Sequence, residues 1–333
     1  MSTIGDVNRK LRVAFVGAGV QANWVHYPAV ASLEDVEMVA ICDIDRDRLD
    51  KTADKYGIAQ RYGDNVYSYR KMIEDVNPDA VYVIGQPHIM YDIWMWCLLR
   101  GVNLYIEKPM GVNLHQAQML AYAAASNDCI TQVSFQRRSS PLVTMLQERC
   151  LAKGPITQAV CRFYKWEPRP FLGARDHMMD DCVHSIDTLR SICGGNIVAV
   201  ESIARRNGVP DINYISATLQ FDSGACGYLV NNWTSGRRIF AVEIHAPGIC
   251  VEADLEGKAY VYTDGNTTAE EYDAETVAGG DRTFVFCGIR AKHQEFIHSL
   301  RTGKPGTSCF ADAVKTMEIA DLILAQASVK SFS

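Results

Sequence analysis

Residues 11–22 read Leu-Arg-Val-Ala-Phe-Val-Gly-Ala-Gly-Val-Gln-Ala, an apolar run that leads directly into a glycine turn. The run predicts a buried strand, and the pattern that follows the turn is typical of a helix. Glycine is needed at Gly17 for the tight turn and at Gly19 for close approach of a ligand, and the small Ala22 lets the helix pack on the strand. The stretch favours a dinucleotide-binding unit, although an ordinary tight βα turn can contain the same residues.

Apolar strand runs alternate with helical patterns through the first part of the chain. The candidate strands are Leu11–Val16, Val36–Cys42, Ala80–Ile84, Asn103–Ile106 and Ile130–Phe135. The helix-like stretches between them are Gln21–Leu33, Asp45–Tyr56, Val66–Val76, Ile89–Arg100 and Leu114–Ser126. Strands that are apolar throughout and separated by helices indicate a parallel sheet covered on both faces. This pattern predicts an α/β fold with a doubly wound Rossmann domain over residues 1–130.

The pattern changes in the second part of the chain, residues 131–333. Strand-like runs from Ile197 to Tyr262 follow one another with turn signals and without helical crossovers, which indicates a large, mainly antiparallel open sheet. Helices are expected at Arg290–Arg301 and Phe310–Ala325, after the sheet. We therefore expect a second α/β domain over these residues.

Composition and charge limit the classes of partner. The chain is 48% hydrophobic and 22% charged, with a net charge of −6 and scattered basic residues, so neither nucleic acid nor a membrane surface is expected as a partner. The 11 cysteines include no CxxC pair, which indicates reduced thiols rather than disulfides or a zinc site. The segment Met1–Lys10 is polar, without the apolar stretch of a signal peptide. We expect a soluble, cytoplasmic protein.

An acidic residue, Asp43, ends the second strand run. A carboxylate at this position accepts hydrogen bonds from the ribose hydroxyls of a dinucleotide and repels a 2′-phosphate, which favours NAD over NADP. Arg46 could still neutralise a phosphate, so NADP is disfavoured rather than excluded.

Two further motifs carry candidate chemistry. Lys108, in Glu107-Lys108-Pro109, follows a strand at the edge where such sheets bind ligands, and its ammonium could hydrogen-bond a reacting hydroxyl. Asp180 and His184 lie four residues apart on a helix, where a histidine can accept a proton from an alcohol. The alternative for Lys108 is an ordinary surface lysine, and the alternative for Asp180 and His184 is a pair on a helix surface without a catalytic role. His177, Asp180, Asp181 and His184 match no strong zinc pattern, so no metal is expected.

Taken in order, these motifs resemble the glucose–fructose oxidoreductase and inositol dehydrogenase (Gfo/Idh/MocA) family. The features that carry the resemblance are the glycine turn, Asp43, Glu107-Lys108-Pro109, Gln136-Arg137-Arg138, Asp180 and His184 ahead of Ile186-Asp187, and Phe296–Pro305. They span nearly the whole chain in order, which makes the match more specific than any single motif.

The resemblance implies NAD(P)-dependent oxidation of a ring hydroxyl on a sugar, sugar derivative or cyclitol, in a homodimer or homotetramer built through the C-terminal sheet. It makes Lys108, Asp180 and His184 the catalytic trio. The implied cofactor-binding residues are Gly17, Ala18, Gly19, Val20, Gln21, Asp43, Gln86, Pro87, Glu107, Lys108 and Gln136. The expected substrate-binding residues are Lys108, Arg137, Trp166, Asp180, His184, Asp187 and Arg238.

The sequence leaves more than one possibility open for the substrate and for the type of reaction. Many relatives have a histidine where this chain has Met90, and the segments Trp166–Arg175 and Trp233–Arg238 are idiosyncratic. The same framework can hold NAD tightly for transient oxidation in a glycosidase, or serve as a cofactor-sensing regulator without chemistry. The basic side chains Arg137, Arg169, Arg175, Arg237 and Arg238 make an anionic substrate an option.

Overall fold

The computed structural model describes residues 9–330, so most of the polar segment Met1–Lys10 lies outside the described residues. The described chain divides into two units. The first unit comprises residues 9–134 and 289–314, and the second comprises residues 135–288 and 315–330.

The first unit contains a six-stranded parallel sheet. Its strands are β1 (Leu11–Val16), β2 (Val36–Cys42), β3 (Gln60–Tyr62), β4 (Ala80–Val83), β5 (Leu104–Ile106) and β6 (Thr131–Val133), in the spatial order β3-β2-β1-β4-β5-β6. The central strands β1, β4 and β5 are almost wholly buried, as expected for a parallel sheet covered by helices on both faces. This topology confirms the predicted Rossmann fold. The short, partly exposed edge strand β3 has no apolar run, which explains why the pattern did not predict it.

Helices connect the strands of this sheet. A π-helical turn, Ala22–His26, continues into the α-helix Tyr27–Ala31, and the later helices are Arg46–Tyr56, Ser68–Val76, Pro87–Leu98 and Leu114–Ser126. The helix Arg46–Tyr56 begins where the Asp45 carboxylate accepts a hydrogen bond from the Arg48 amide, an N-cap, and ends at Gly57 in a left-handed conformation.

A helix from the far end of the chain, Ile289–Thr302, completes the first unit. Its side chains Phe296, Ile297 and Leu300 are buried in the same apolar cluster as Leu11 and Tyr82. The pattern change expected near residue 130 therefore corresponds to the passage between the units at residues 134–135, but the first unit also includes this late helix. The assignment of residues 1–130 to a dinucleotide-binding domain and of residues 131–333 to a substrate-binding and oligomerisation domain stays a prediction.

The second unit contains an eight-stranded sheet. Its strands are β7 (Gln158–Trp166), β8 (Ile197–Arg205), β9 (Tyr214–Phe221), β10 (Cys226–Asn232), β11 (Thr234–Ala246), β12 (Ile249–Asp254), β13 (Lys258–Thr263) and β14 (Glu270–Asp273). Their spatial order is β14-β13-β12-β11-β7-β10-β9-β8, and the pairing is antiparallel except between β7 and β10. The mainly antiparallel second sheet is thereby confirmed.

Burial alternates along the strands of this sheet, as expected when helices cover only one face. The helices of the unit are Pro141–Lys153, Val183–Cys193, Ala274–Ala278, Thr283–Phe286 and most of Phe310–Lys330, with a 3-10 turn at Gln136–Ser139 and a π-helical turn at Met178–Cys182. The helix Val183–Cys193 packs on β7 and β10. Within residues 9–330, no helix has the length and apolar character that crossing a membrane requires.

Candidate functional site

The glycine turn after β1 has the geometry that a phosphate cradle requires. Gly17 has φ of +104°, and a Cβ there would lie 2.1 Å from the carbonyl oxygen of Ile84, so any side chain is excluded on two grounds. A Cβ at Gly19 would meet no atom within 4 Å, which shows that its backbone faces open space. The buried Ala22 packs in the apolar cluster, as the pattern predicted.

Asp43 lies beside this turn, directly after β2. One carboxylate oxygen accepts the amide N–H of Ala18 at 2.6 Å and the other accepts that of Asp45 at 2.8 Å. These bonds fix the half-buried carboxylate at the carboxyl edge of the sheet, next to the turn. A carboxylate has further lone pairs, so the side chain can also accept hydrogen bonds from ribose hydroxyls.

The residues after the turn fit a dinucleotide. Val20 is 87% exposed at the start of the helical segment, whose first N–H groups have no partners within the helix and carry its positive dipole end. A second predicted contact, Gln86, is exposed at the N-terminus of the helix that begins at Pro87, after β4. The open turn, the fixed carboxylate and the free helix end together fit the pyrophosphate and ribose of NAD.

Lys108 follows β5 at the same edge of the sheet. Its side chain is half-buried, whereas Glu107 is only 7% exposed and Pro109, joined to Lys108 by a cis peptide bond, is buried. One oxygen of Glu107 accepts the amide N–H of Lys108 at 3.0 Å, and the other lies 2.6 Å from Nε2 of His26. Burial alone raises the pKa of Glu107, but the His26 hydrogen bond and nearby positive charge outweigh it and lower the pKa below its ordinary value.

Asp180 lies in the π-helical turn Met178–Cys182 of the second unit. Its Oδ1 is 2.7 Å from Nη1 of Arg175, and both side chains are largely buried. The turn begins where the Asp176 carboxylate accepts the Met179 amide at 2.9 Å. π-Helical turns are rare and occur often at functional sites, and in this chain one follows the glycine turn and another contains Asp180.

His184 lies in the first turn of the helix Val183–Cys193 and is 8% exposed. Its ring packs near the rings of Phe135 and Phe240, with centroid distances of 6.2 and 6.4 Å. Asp180 and His184 thus straddle the junction between the π-helical turn and the α-helix, which the sequence pattern treats as one regular helix. Both stay predicted catalytic residues.

Two predicted substrate ligands share a protein partner, Glu256. Arg137 is 5% exposed, and it donates to Glu256 and stacks over Phe240 at 4.7 Å. The exposed Arg238 donates to both oxygens of Glu256, at 2.9 and 3.2 Å. Although burial raises the pKa of Glu256, the two guanidinium groups lower it to about 2, so the carboxylate is ionised and neutralises part of their charge.

Asp187, another predicted substrate ligand, is 1% exposed and bound inside the second unit. Arg138 donates to both of its oxygens, at 2.7 and 2.5 Å, and Thr316 donates to Oδ1 at 3.2 Å. The structure therefore gives this carboxylate a set of internal partners. Trp166 at the end of β7 is 62% exposed, and Gln136 is half-buried in the 3-10 turn.

The variant Asp187→Asn is expected to lower the free energy of unfolding by about 1.5–3 kcal/mol, because it removes the charged acceptor that Asp187 offers to the buried guanidinium of Arg138. Urea denaturation measures this difference. The exposed Glu201→Gln, in the same unit, removes one negative charge and should change stability by less than about 0.5 kcal/mol. If Asp187→Asn instead keeps its stability and raises KM, Asp187 contacts the substrate directly, as the sequence predicts.

A carboxylate and histidine cluster lies near Asp180. Glu167, His177 and Asp181 have potential ligand atoms within 4.8 Å of one another. An ammonium is already present there, because Nζ of Lys165 lies 2.6 Å from Asp181 and 3.4 Å from Glu167. Trp233 also donates to Asp181 at 2.9 Å and stacks on His177. The ammonium of Lys165 therefore offsets part of the negative charge of this cluster.

Sequence reasoning missed several residues at these positions. Four residues that contact predicted residues or their neighbours were not predicted: His26, His293, Arg175 and Glu256. Each is either far from its partner in sequence or not part of a recognisable motif. Only Arg175 gave a signal, as one of the basic residues near the idiosyncratic loop.

Comparisons with known proteins agree with the fold of the two units. The model of the oxidoreductase family with an NAD-binding Rossmann fold matches residues 11–135, and the model of the GFO/IDH/MocA C-terminal domain matches residues 152–247. The chain is 25% identical to a myo-inositol 2-dehydrogenase of Thermotoga maritima over 237 residues, covering 67% of this chain and 68% of that protein. It is 24% identical to a scyllo-inositol 2-dehydrogenase (NAD⁺) of Bacillus subtilis, covering 69% of each.

The fold is similar to that of a solved dehydrogenase from Chromobacterium violaceum, with a TM-score of 0.87 over 97% of each chain at 20% identity.

Proposed function

Because the chain belongs to the Gfo/Idh/MocA family of NAD-binding oxidoreductases, we propose that it oxidises a ring hydroxyl of a sugar or cyclitol by hydride transfer to NAD. The observation that carries the proposal is that Lys108 follows β5 at the sheet edge where Gly17 follows β1 and Asp43 follows β2. Carboxyl ends of parallel strands meet at one edge, so an ammonium lies at the edge that binds the dinucleotide. The two inositol dehydrogenases among the relatives support the substrate class.

Each proposed residue has a distinct task. NAD, when bound, would supply the acceptor for the hydride of the ring carbon. His184 accepts the proton of the hydroxyl, because a neutral imidazole is a suitable base near pH 7. Asp180, paired with Arg175, accepts hydrogen bonds from the substrate or orients the proton network. The ammonium of Lys108 donates to the reacting oxygen and stabilises the negative charge that develops there.

Cofactor preference follows from Asp43. The variant Asp43→Ala should weaken binding of NAD by about ten- to a hundredfold, since it removes an ionic acceptor of ribose hydroxyls. NADP binding should be weakened less or improved, because the repulsion of the 2′-phosphate is also lost. Fluorescence titration with NADH and NADPH measures both affinities.

The exposed Asp47→Ala is a matched control that removes the same charge close by. It should leave the ratio of the two affinities unchanged. A wild-type protein that already binds NADPH more tightly than NADH would contradict this role of Asp43.

The substrate is best sought among neutral polyols. Three of the five basic side chains that could bind an anion are paired with carboxylates: Arg137 and Arg238 with Glu256, and Arg175 with Asp180. We therefore propose a neutral sugar or cyclitol, with the exposed Trp166 indole as a surface on which a ring can pack.

A panel of cyclitols, hexoses, aminosugars, uronates and sugar phosphates tests the proposal by NAD reduction at 340 nm, a wavelength at which only the reduced nicotinamide absorbs. Reduction by a neutral polyol supports it. Turnover of a glycoside without net absorbance change would instead indicate transient oxidation in a glycosidase. Tight NAD binding with no turnover of any panel member would favour a regulator.

The open face of the second sheet is where we propose that copies of the chain associate as a homodimer or homotetramer. Exposed apolar side chains on its strands, including Val198, Ile203 and Tyr228, support this assignment. Sedimentation velocity measures the assembly state.

A further inference from the structure

Three buried side chains form a hydrogen-bonded chain behind Lys108. Nε2 of His26 lies 2.6 Å from Oε1 of Glu107, and Nδ1 of His26 lies 3.1 Å from Nε2 of His293. Both histidines have no exposed surface and Glu107 has almost none. The three residues come from the π-helical turn after β1, the end of β5 and the late helix Ile289–Thr302, all within the first unit.

Such a chain is costly unless each polar group has a partner. An ionised carboxylate that is buried without a hydrogen bond loses several kcal/mol of hydration, on the order of the whole stability of a domain. Because a carboxylate only accepts, Nε2 of His26 must carry the hydrogen toward Glu107. Burial, and then the neighbouring His26, lower the pKa of His293 well below its usual range, so this second ring is neutral.

The other oxygen of Glu107 is turned toward the next residue. It accepts the backbone N–H of Lys108 at 3.0 Å, so the orientation of the carboxylate and the path of the chain at Lys108 are linked. The charge of Lys108 is also among the causes that lower the pKa of Glu107. A change in the protonation or rotamer of Glu107 therefore alters the hydrogen bond to the Lys108 amide and the charge next to the Lys108 side chain.

We propose that His26 and His293 are positioning residues that hold Glu107 as an oriented carboxylate and through it fix Lys108 for reaction. The inference rests on the proposed function in one respect, since it takes Lys108 to act on the substrate. His26 provides the hydrogen bond to Glu107, and His293 fixes the ring of His26 from the opposite side. The helix Ile289–Thr302 thereby takes part in the geometry of the cofactor edge, although it is far from Glu107 in sequence.

The pH dependence of this arrangement has a defined sign. The groups around the chain are Lys108, the hydroxyls of Ser134 and Tyr105, and the rings of Tyr82 and Tyr105 that pack on His293. With its pKa lowered in the folded state, Glu107 stabilises the fold above its unfolded-state pKa, and this contribution is lost as pH falls through the folded-state pKa. Without His26, burial should dominate and raise the pKa of Glu107.

Two substitutions of His26 separate positioning from packing. His26→Leu removes the donor and keeps an apolar side chain of similar size, whereas the amide nitrogen of Gln in His26→Gln can replace Nε2 as donor to Glu107. We expect His26→Leu to lower turnover by about tenfold or more at saturating substrate, the scale of an ionic hydrogen bond. It should also move the acid limb of the pH profile to higher pH than the limb that His184 sets in the wild type, because a protonated Glu107 then limits turnover. His26→Gln should restore most of the turnover and the original limb.

The matched control is His298→Leu, which changes an exposed histidine on the helix that carries His293. It should leave turnover and the pH profile as in the wild type. Equal losses in His26→Leu and His26→Gln, with an unmoved acid limb, would show that His26 only fills space and would overturn the proposal.

A second readout needs no substrate and separates this inference from the proposed function. Hydrogen–deuterium exchange measures the protection of the Lys108 backbone amide, which donates to the Glu107 carboxylate. This amide should exchange faster in His26→Leu, where the carboxylate is misplaced, and in Glu107→Gln, where the acceptor is weaker. In His26→Gln it should exchange as slowly as in the wild type. Fluorescence titration with NADH should show less than a threefold change in affinity in His26→Leu and in His26→Gln. Unchanged exchange at Lys108 in both variants would overturn the inference, even if no panel substrate is turned over. If His26→Leu does not fold, Glu107→Gln and His293→Phe carry the same comparison.

Discussion

The variant His184→Ala is expected to turn over substrate about a hundredfold or more slowly than the wild type, the usual scale for loss of a positioned acid–base group. The reason is that the alcohol must lose its proton as hydride leaves, and the alanine offers no acceptor. Affinity for NADH should stay nearly unchanged, because His184 is not among the residues predicted to bind the dinucleotide. Steady-state kinetics and fluorescence titration measure the two quantities.

The pH profile identifies the proton acceptor. Oxidation by the wild type should fall on the acid side of neutrality as the imidazole is protonated, and His184→Ala should lack this limb. A matched control is His245→Ala, which changes a half-buried histidine on β11 of the same unit and should leave the limb in place. An unchanged limb in His184→Ala would assign the proton to another group, with Lys108 as the first candidate.

The variant Lys108→Arg should fold and bind NADH yet lose most of its turnover, by about a hundredfold. Charge is retained, but a planar guanidinium cannot replace a compact ammonium at a half-buried position beside the packed Glu107 and Pro109. The exposed Lys304→Arg makes the same change elsewhere in the first unit and should have no effect on turnover. Wild-type turnover in Lys108→Arg would remove the ammonium from the proposed chemistry.

The double variant Lys108→Arg with His184→Ala measures whether the two residues handle the same proton. Groups that act as a unit are strongly non-additive, so the double variant should lose far less than the product of the single losses. The turnover of four proteins, measured under one set of conditions, completes the cycle. Fully multiplicative losses would mean that the two residues do not serve one reaction, and the proposed mechanism would be wrong.

The fold could be predicted from sequence wherever local pattern and burial coincide. β1 and β2 have the predicted bounds because each is a mainly apolar run that only one charged residue, Arg12 or Glu37, interrupts. The strand predicted at Ile130–Phe135 is shorter, Thr131–Val133, because pairing with β5 extends only that far. In the second unit, two short helices after β14 were not expected, since they lack a clear apolar period.

The candidate site was predictable only where a motif lies within one segment. The glycine turn, Asp43 and Glu107-Lys108-Pro109 each belong to a strand end, and the structure places all three at one sheet edge. The partners of these residues come from elsewhere in the chain. Nothing near His293 in sequence indicates that it approaches His26, because a long-range hydrogen bond leaves no periodic signal.

Charge taken from the sequence alone does not show which basic residues are already paired within the protein. Arg137 and Arg238 were considered as ligands for an anionic substrate, but the sequence gives no sign that Glu256 lies between them. A count of basic residues cannot distinguish a guanidinium that is free for a ligand from one that is already paired, because the partner is fixed by tertiary structure.

The placement of the helix Ile289–Thr302 in the first unit has a consequence for biosynthesis. The apolar cluster formed by β1, β4 and their covering helices needs Phe296, Ile297 and Leu300 for closure, so it stays incomplete while the ribosome makes the second unit. Chains usually fold from the N-terminus as they emerge from the ribosome. Here the first sheet emerges early, but its apolar cluster can be completed only after the helix Ile289–Thr302 has been synthesised. A fragment that ends at residue 134 should therefore expose apolar surface and aggregate, whereas a permuted chain that joins residues 289–314 to the N-terminal segment should remain folded.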